Sequence, residues 1–293
     1  MRFQRRAAVS VVSRPATSCV LCDVNDQESV EYRSAAELVE VLAACRTTND
    51  EVTLTGRNGS MHPEIDAIIA AARRCNFAAV GMEVSGAEST LAAALRTLRA
   101  AGLTDICVTL CGAHADAHDY HTQSPGSFDR TVGTLRAANG VGLRATVETL
   151  LTRSNAQVLD EFPTLLAEAG VSGWCIDVLG SHEGTTEHAA RFTSRLGMSL
   201  PYALRAIERA RRARIPAWIR GAPMCLIGPL AARRLESEPR CRPACCDDCP
   251  SRPACPGVDR AYLDRFGSAE LRPHDLVARD SGADDVARMF VGP

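Results

Sequence analysis

Up to about residue 220, apolar runs of strand length alternate with longer segments of helical period. This alternation constrains the fold more than any other feature of the chain. Strands are expected at residues 6–12, 51–55, 77–84, 106–110, 141–151 and 171–178, with a shorter one at 217–220. Helices are expected between them at 34–45, from Pro63 through Ala72, and at 89–101, 128–138, 156–169 and 202–212, while residues 111–126 read as a polar loop. At least six βα units in a row predict an α/β fold that closes, fully or as a partial (β/α)6-type TIM-like barrel, over residues 1–220. Active groups in such a barrel sit on the loops after the C-terminal strand ends. Those loops here hold Cys19 and Cys22, the glycine-rich run Gly56 to Ser60, and the histidines His182 and His188. From Gly221 the periodicity stops, and a run dense in Cys, Pro, Arg and Asp predicts a separate cysteine-rich module over 221–293.

Composition narrows the chemistry. All 33 basic residues are arginine, so Schiff-base chemistry and lysine-dependent phosphate loops are excluded. A net charge of −2 in a chain of 46% hydrophobic residues disfavours disorder and nucleic-acid binding. The arginines at 205, 209, 211, 212 and 214, interleaved with Glu208, read as a solvated helix face, and Trp174 and Trp218 as packing residues. No apolar stretch reaches the roughly 18 residues of a membrane span, and the N-terminal apolar run is too short for a secretory signal. A cytoplasmic, reducing setting is expected, in which 13 cysteines point to metal ligation or catalysis more than to disulfides.

The strongest metal signal is Cys246-x2-Cys249-x5-Cys255 with Cys225 upstream. Four thiolates converging on one point suit a [4Fe-4S] cluster or a tetrahedral zinc, and Cys241 and Cys245 are spare thiols that could replace Cys225 or Cys246. Cys19-x2-Cys22 supplies only half of such a site, and by itself reads as a redox dithiol, half a metal site or a chance pair. Cys111 stands near His114, His118 and His121, a grouping that reads either as a thiolate–imidazole site or as a polar loop satisfied by its own backbone. Cys45, Cys75, Cys107 and Cys175 read as small core residues.

These pieces together resemble the radical S-adenosylmethionine (radical SAM) enzymes. The stretch Thr55-Gly56-Arg57-Asn58-Gly59-Ser60-Met61-His62-Pro63-Glu64-Ile65 resembles the family's glycine-rich second-strand loop. Val108 to Gly112, His118-Asp119, Thr122 and Pro125-Gly126-Ser127-Phe128 are similar to the wording after the fourth strand in one large subgroup, and Leu151 to Asn155 to its fifth-strand end. Cys255-Pro256-Gly257-Val258, with Tyr262, Phe266-Gly267 and Glu270-Leu271, resembles a C-terminal module that often carries an auxiliary cluster.

The resemblance implies a [4Fe-4S] cluster held by three cysteines of a CxxxCxxC motif, with SAM on its open iron. Cys19 and Cys22 match the second and third cysteines, but Pro15 stands at the first, Leu21 replaces the usual aromatic residue, and Asn58-Gly59 replaces glutamate-proline. By the resemblance, Gly56 and Asn58 would line the methionine moiety, Thr109 its carboxylate or ribose, and Asn155 the ribose hydroxyls. A competent site would act on a small molecule or peptide through a 5′-deoxyadenosyl radical. Two alternatives stand beside this: a silent homologue serving as subunit or scaffold for an active partner, and a zinc-stabilised barrel. The catalytic residues that touch substrate are not identified by sequence.

Overall fold

The structure, a computed structural model, describes residues 6–14, 20, 30–56, 58–178, 191–235, 239–274 and 286–290. Its strands are β1 (Arg6–Ser10), β2 (Val12–Arg14), β3 (Glu31–Tyr32), β4 (Glu51–Thr55), β5 (Ala79–Val84), β6 (Asp105–Thr109), β7 (Arg144–Leu151), β8 (Gly173–Val178) and β9 (Ala217–Arg220). Seven of them form one sheet in the order β1-β4-β5-β6-β7-β8-β9, every neighbouring pair parallel. The sheet stays open between β9 and β1, so the architecture is the expected partial barrel with one strand more than six. β2 leaves that sheet just past β1 and pairs antiparallel with β3.

The helices are α1 (Ala35–Arg46), α2 (Ile65–Arg74), α3 (Leu91–Ala101), α4 (Ala115–Thr122), α5 (Ser127–Gly140), α6 (Phe162–Glu168), α7 (Leu196–Arg212), α8 (Met224–Ile227) and α9 (Arg260–Phe266). Ser34 caps α1 by accepting from the Glu37 N–H, and Gly102 ends α3 at φ 119°, a conformation that disfavours any side chain. α2 starts at Ile65, because Pro63 lies in the preceding turn. The segment 156–169 is split, a 3-10 turn at Ala156–Glu161 leading into α6, whose first turn holds Pro163. α4 lies inside the expected polar loop, and its buried face consists of His118 and His121 instead of aliphatic residues.

Alternate strand residues serve two environments. Val52, Leu54, Val80, Met82, Ile106, Val108, Val147 and Ile176 pack with Leu38, Ile69, Leu95, Leu135 and Ile207 of the helices in the main core. On the opposite, lumen face, Cys107, Cys175 and Trp218 pack with Leu235 and Phe290. Cys107 and Cys175 are therefore core thiols, and burial pushes both well above the ordinary thiol range. The N-terminal end of the lumen is closed by Arg6, which donates to Thr53 Oγ1 at 2.6 Å and Asp105 Oδ1 at 2.5 Å. A Cβ on Gly81 would stand 1.9 Å from the Arg6 guanidinium, so glycine is what lets that arginine cross the sheet. Segment 286–290 covers the same end, with Phe290 against Trp218 at 5.7 Å and Arg288 paired to Glu51 at 3.6 Å.

The expected boundary at residue 220 coincides with the end of β9, yet the core continues across it. Val258, Tyr262 and Leu271 belong to the same buried cluster as Leu196 and Met224. The Tyr262 hydroxyl accepts from the Leu196 N–H at 3.1 Å and donates to Glu270. No helix of the described residues is long and apolar enough to cross a membrane.

Candidate functional site

The loop after β4 is held close to the first strand by glycine. A Cβ on Gly56, at φ 109°, would meet Val12 at 2.5 Å, and one on Gly59 would meet Val11 at 2.7 Å. Asn58 between them sits in the left-handed region at φ 61°, and its carbonyl accepts from the Tyr32 hydroxyl at 3.3 Å. Tyr32 in turn packs edge-on against His62. His62 Nδ1 accepts from the Glu64 N–H at 3.0 Å, which leaves its Nε2–H to donate to the Arg33 carbonyl at 2.8 Å. The result is a backbone cradle at the C-terminal end of β4. Thr109 stands at the end of β6, two strands away and level with Glu148. Arg57, and with it the centre of the loop, lies outside the described residues, as do Pro15, Cys19, Leu21, Cys22, His182 and His188. Val20, between the two cysteines, donates its N–H to the His121 carbonyl at 3.0 Å, which anchors that point of the chain on α4.

The loop after β6 is a self-contained hydrogen-bonded scaffold. Asp119 accepts from the Gly126 N–H (2.6 Å), Ser127 Oγ (2.7 Å) and the Phe128 N–H (2.8 Å), which places a carboxylate over the N-terminus of α5. Burial pushes this carboxyl up, but the bonds from Ser127, Phe128 and Gly126 outweigh it and hold the group below its ordinary range. His118 Nδ1 accepts from the Cys111 N–H at 3.1 Å, and desolvation lowers the ring to about 4, so it is neutral at physiological pH. His121 Nδ1 donates to the Ala117 carbonyl at 2.7 Å while its Nε2 meets Ser154 Oγ at 2.9 Å. His114 points elsewhere, toward Glu161 at 3.1 Å. Of the two readings of this loop, the satisfied polar scaffold is the one the geometry matches. Among the described residues, no three His, Cys, Asp or Glu side chains stand close enough to hold a single metal ion.

Asn155 is fully buried, and its amide is spent on the backbone. Nδ2 donates to Cys111 O at 3.0 Å and Leu150 O at 2.8 Å, and Oδ1 accepts from the Thr152 N–H at 2.9 Å. Both amide N–H groups are committed, so Asn155 joins the ends of β6 and β7. In this structure the side chain positions two loops.

Sequence reasoning missed the charged groups of the lumen. Arg220 on β9 binds Asp177 on β8 through Nε (3.2 Å) and Nη2 (2.9 Å), and Nη2 also meets Glu148 on β7. Register places Cys175 beside Glu148 and Cys107 beside Glu83, so all of these share the lumen face. Desolvation raises Glu148 to about 8 against the attraction of Arg220, with Asp177 and Glu83 pushing it further up. Burial also raises Glu83, opposed by Arg220 and Arg6. A single charge inside an otherwise apolar parallel strand is the signal that could have revealed them, since such strands are covered on both faces.

In the C-terminal module, Cys225, Cys246, Cys249 and Cys255 line one small cavity, together with Pro223, Met224 and Arg242. Burial raises the thiols of Cys225 and Cys246, the latter to about 11, and the neighbouring thiols add to it: Cys255 and Cys249 act on Cys225, and Cys245, Cys255 and Cys225 on Cys246. Backbone N–H groups are aimed at the sulfurs, from Met224 to Cys255 at 3.4 Å and from His274 to Cys249 at 3.4 Å. Cys245 stands beside the cavity. Cys241 does not line it, and is tied instead to Val258 by a backbone bridge.

The model of the radical SAM superfamily matches residues 9–153. In fold the chain is similar to Streptococcus suis SuiB bound to S-adenosylmethionine, at 13% identity and a TM-score of 0.62, over 78% of this chain and 53% of that one. SuiB bound to the precursor peptide SuiA matches at 13% identity and 0.59, over 75% and 49%. A radical SAM methyltransferase from Sphaerobacter thermophilus matches at 19% identity and 0.56, over 75% and 67%. The chain thus spans about half the length of the SuiB structures, and at these identities the likeness is one of fold. No curated protein matches the chain in sequence.

Proposed function

Because residues 9–153 belong to the radical SAM superfamily, we propose that this chain is an iron–sulfur protein of that type. Its half barrel would enclose a small-molecule or peptide substrate, and its C-terminal module would carry a [4Fe-4S] cluster on Cys225, Cys246, Cys249 and Cys255. The observation that carries the reading is the convergence of these four thiols on one cavity with backbone N–H groups directed at the sulfurs. Such N–H groups stabilise thiolates and tune cluster potentials. A tetrahedral zinc on the same four thiols is the alternative occupant.

The SAM site fits in part. The cradle of Gly56, Asn58 and Gly59 supports lodging the methionine moiety against β1, with Thr109 across the C-terminal end of the sheet. The first-strand loop offers Cys19 and Cys22, two thiolates where the family's cluster takes three, and Pro15 has no donor to add. When bound, SAM supplies radical chemistry that begins with hydrogen-atom abstraction, and a barrel positions and shields it. The first-strand loop itself leaves the third ligand position of such a cluster without a cysteine. That shortfall favours a second reading, a silent homologue that serves as subunit or scaffold for an active partner.

Iron and sulfide content per chain after anaerobic reconstitution, with 5′-deoxyadenosine measured under a strong reductant, tests both. About four irons with no cleavage is the result expected of the scaffold, and about eight with cleavage that of an enzyme. A colourless protein holding zinc would overturn the cluster assignment.

A further inference from the structure

Around Glu148 the carboxyls outnumber the cations. Three carboxyl groups, Glu83, Glu148 and Asp177, converge there with a single cation, Arg220, while Arg6, at the N-terminal end of the lumen, is engaged by Asp105 and Thr53 and has its Nη1 3.5 Å from Glu51 with no hydrogen bond. Asp177 has a side chain only 4% exposed; Arg220 binds its Oδ2, and its buried Oδ1 has no N–H donor among the described residues, only the carboxyl of Glu148 beside the group. A buried acceptor without a partner is costly, so the pair Glu148–Asp177 is satisfied only when a proton or a foreign N–H stands between the two carboxyls.

We infer that the half barrel takes its substrate through a basic group, an ammonium or guanidinium, lodged between Glu148, Asp177 and Glu83. The inference deepens the reading above by naming the substrate class for the same lumen. Charge decides the sign. An anion would face three carboxyls with Arg220 already engaged, whereas a cation completes the balance and supplies the missing donors. Around Glu148 the facing groups are Glu83 on β5, Cys107 on β6, Asp177 and Cys175 on β8, and Arg220 on β9. The two thiols stay neutral because burial raises them, so the carboxyls set the field. An incoming cation then takes the place of the Glu148 proton. Segment 286–290 covers the other end of the lumen, so the basic group enters from the C-terminal strand ends, where SAM would lie.

Calorimetry on the full chain, in buffers of different ionisation enthalpy, reads this directly. Guanidinium, butylammonium and agmatine serve as cationic probes and butyrate as the anionic control. The expected result is release of about one proton per bound cation and an affinity about 50-fold lower at pH 6 than at pH 8, because the proton competes at a group raised to about 8. Glu148→Gln should abolish both the proton release and the pH dependence, and Glu83→Gln, the variant to use if the first fails to fold, should weaken binding about tenfold. Failure of all three cations to bind, tighter binding of butyrate, or proton release that persists in Glu148→Gln would overturn the inference and leave an internal ion-pair network. None of these readings needs SAM cleavage. Cation binding without 5′-deoxyadenosine would therefore remove the radical reading and keep this one.

Discussion

Asn155 separates two accounts of the β7 loop through the three bonds its side chain makes. In Asn155→Ala the carbonyls of Cys111 and Leu150 and the N–H of Thr152 lose partners now at 2.8–3.0 Å. Each buried group left unpaired costs about 1–3 kcal/mol, so the variant should lose about 3–6 kcal/mol after partial relaxation. That is a large part of the roughly 5–15 kcal/mol that holds a typical domain folded. Asn155→Asp is the sharper case. It keeps the acceptor for Thr152 but turns carboxylate oxygen toward two carbonyls, and should destabilise at least as much as alanine. A ribose contact would behave differently, since a carboxylate accepts from hydroxyls as well as an amide does. Urea denaturation gives the stability change, and equilibrium dialysis of SAM against the reconstituted protein gives the binding change. An aspartate variant within about 0.5 kcal/mol of wild type, whose SAM binding alone is altered, would refute the positioning role.

Two further outcomes follow from the same structure. Pro15→Cys should restore the three-cysteine set, so that iron per chain rises by about four on reconstitution; unchanged iron would show that the loop no longer brings its thiols together. Glu148 should make stability fall with rising pH. Its folded pKa is raised to about 8 above an ordinary carboxyl value, so the native state holds the extra proton, and the stabilisation is complete below the unfolded value and lost as pH climbs through about 8. Glu148→Gln, which keeps the protonated shape, should remove up to about 1 kcal/mol per pH unit of that slope between pH 5 and 8, read as the difference between the two denaturation curves.

The alternation of β and α was legible because buried parallel strands and their covering helices each carry one hydrophobic period. The period vanished where burial is achieved by polar groups. α4 went unread because His118 and His121 fill its inner face, and a buried imidazole that donates and accepts within its own loop looks like any polar residue in sequence. The lumen charges were hidden for a related reason. Glu83, Glu148, Asp177 and Arg220 lie far apart in the chain, and only strand register brings them level. The four C-terminal cysteines were legible because loops rich in proline have few other reasons to concentrate thiols, whereas Cys107 and Cys175 differ from them only in lying on strands. For Asn155, sequence position suggested a ligand contact, and only three bond lengths showed that its amide is engaged.

Much of the C-terminal end of the barrel is held by contacts among described residues away from the first-strand cysteines. Asp119 with Ser127 and Phe128 and His118 with Cys111 brace the loop after β6, Asn155 ties it to the loop after β7, and Gly56 lets the loop after β4 lie against Val12. A chain could therefore exchange the first cysteine for Pro15 at little cost in folding, and the same scaffold would persist whether or not the site cleaves SAM. It follows that stability and fold carry no information about competence in this protein. What distinguishes the two readings is confined to one ligand position and to whether the lumen still takes a substrate. If cations bind in place of the Glu148 proton in a protein with a single cluster, selection has kept a binding chamber without its radical source, and the function to look for is recognition on behalf of a partner.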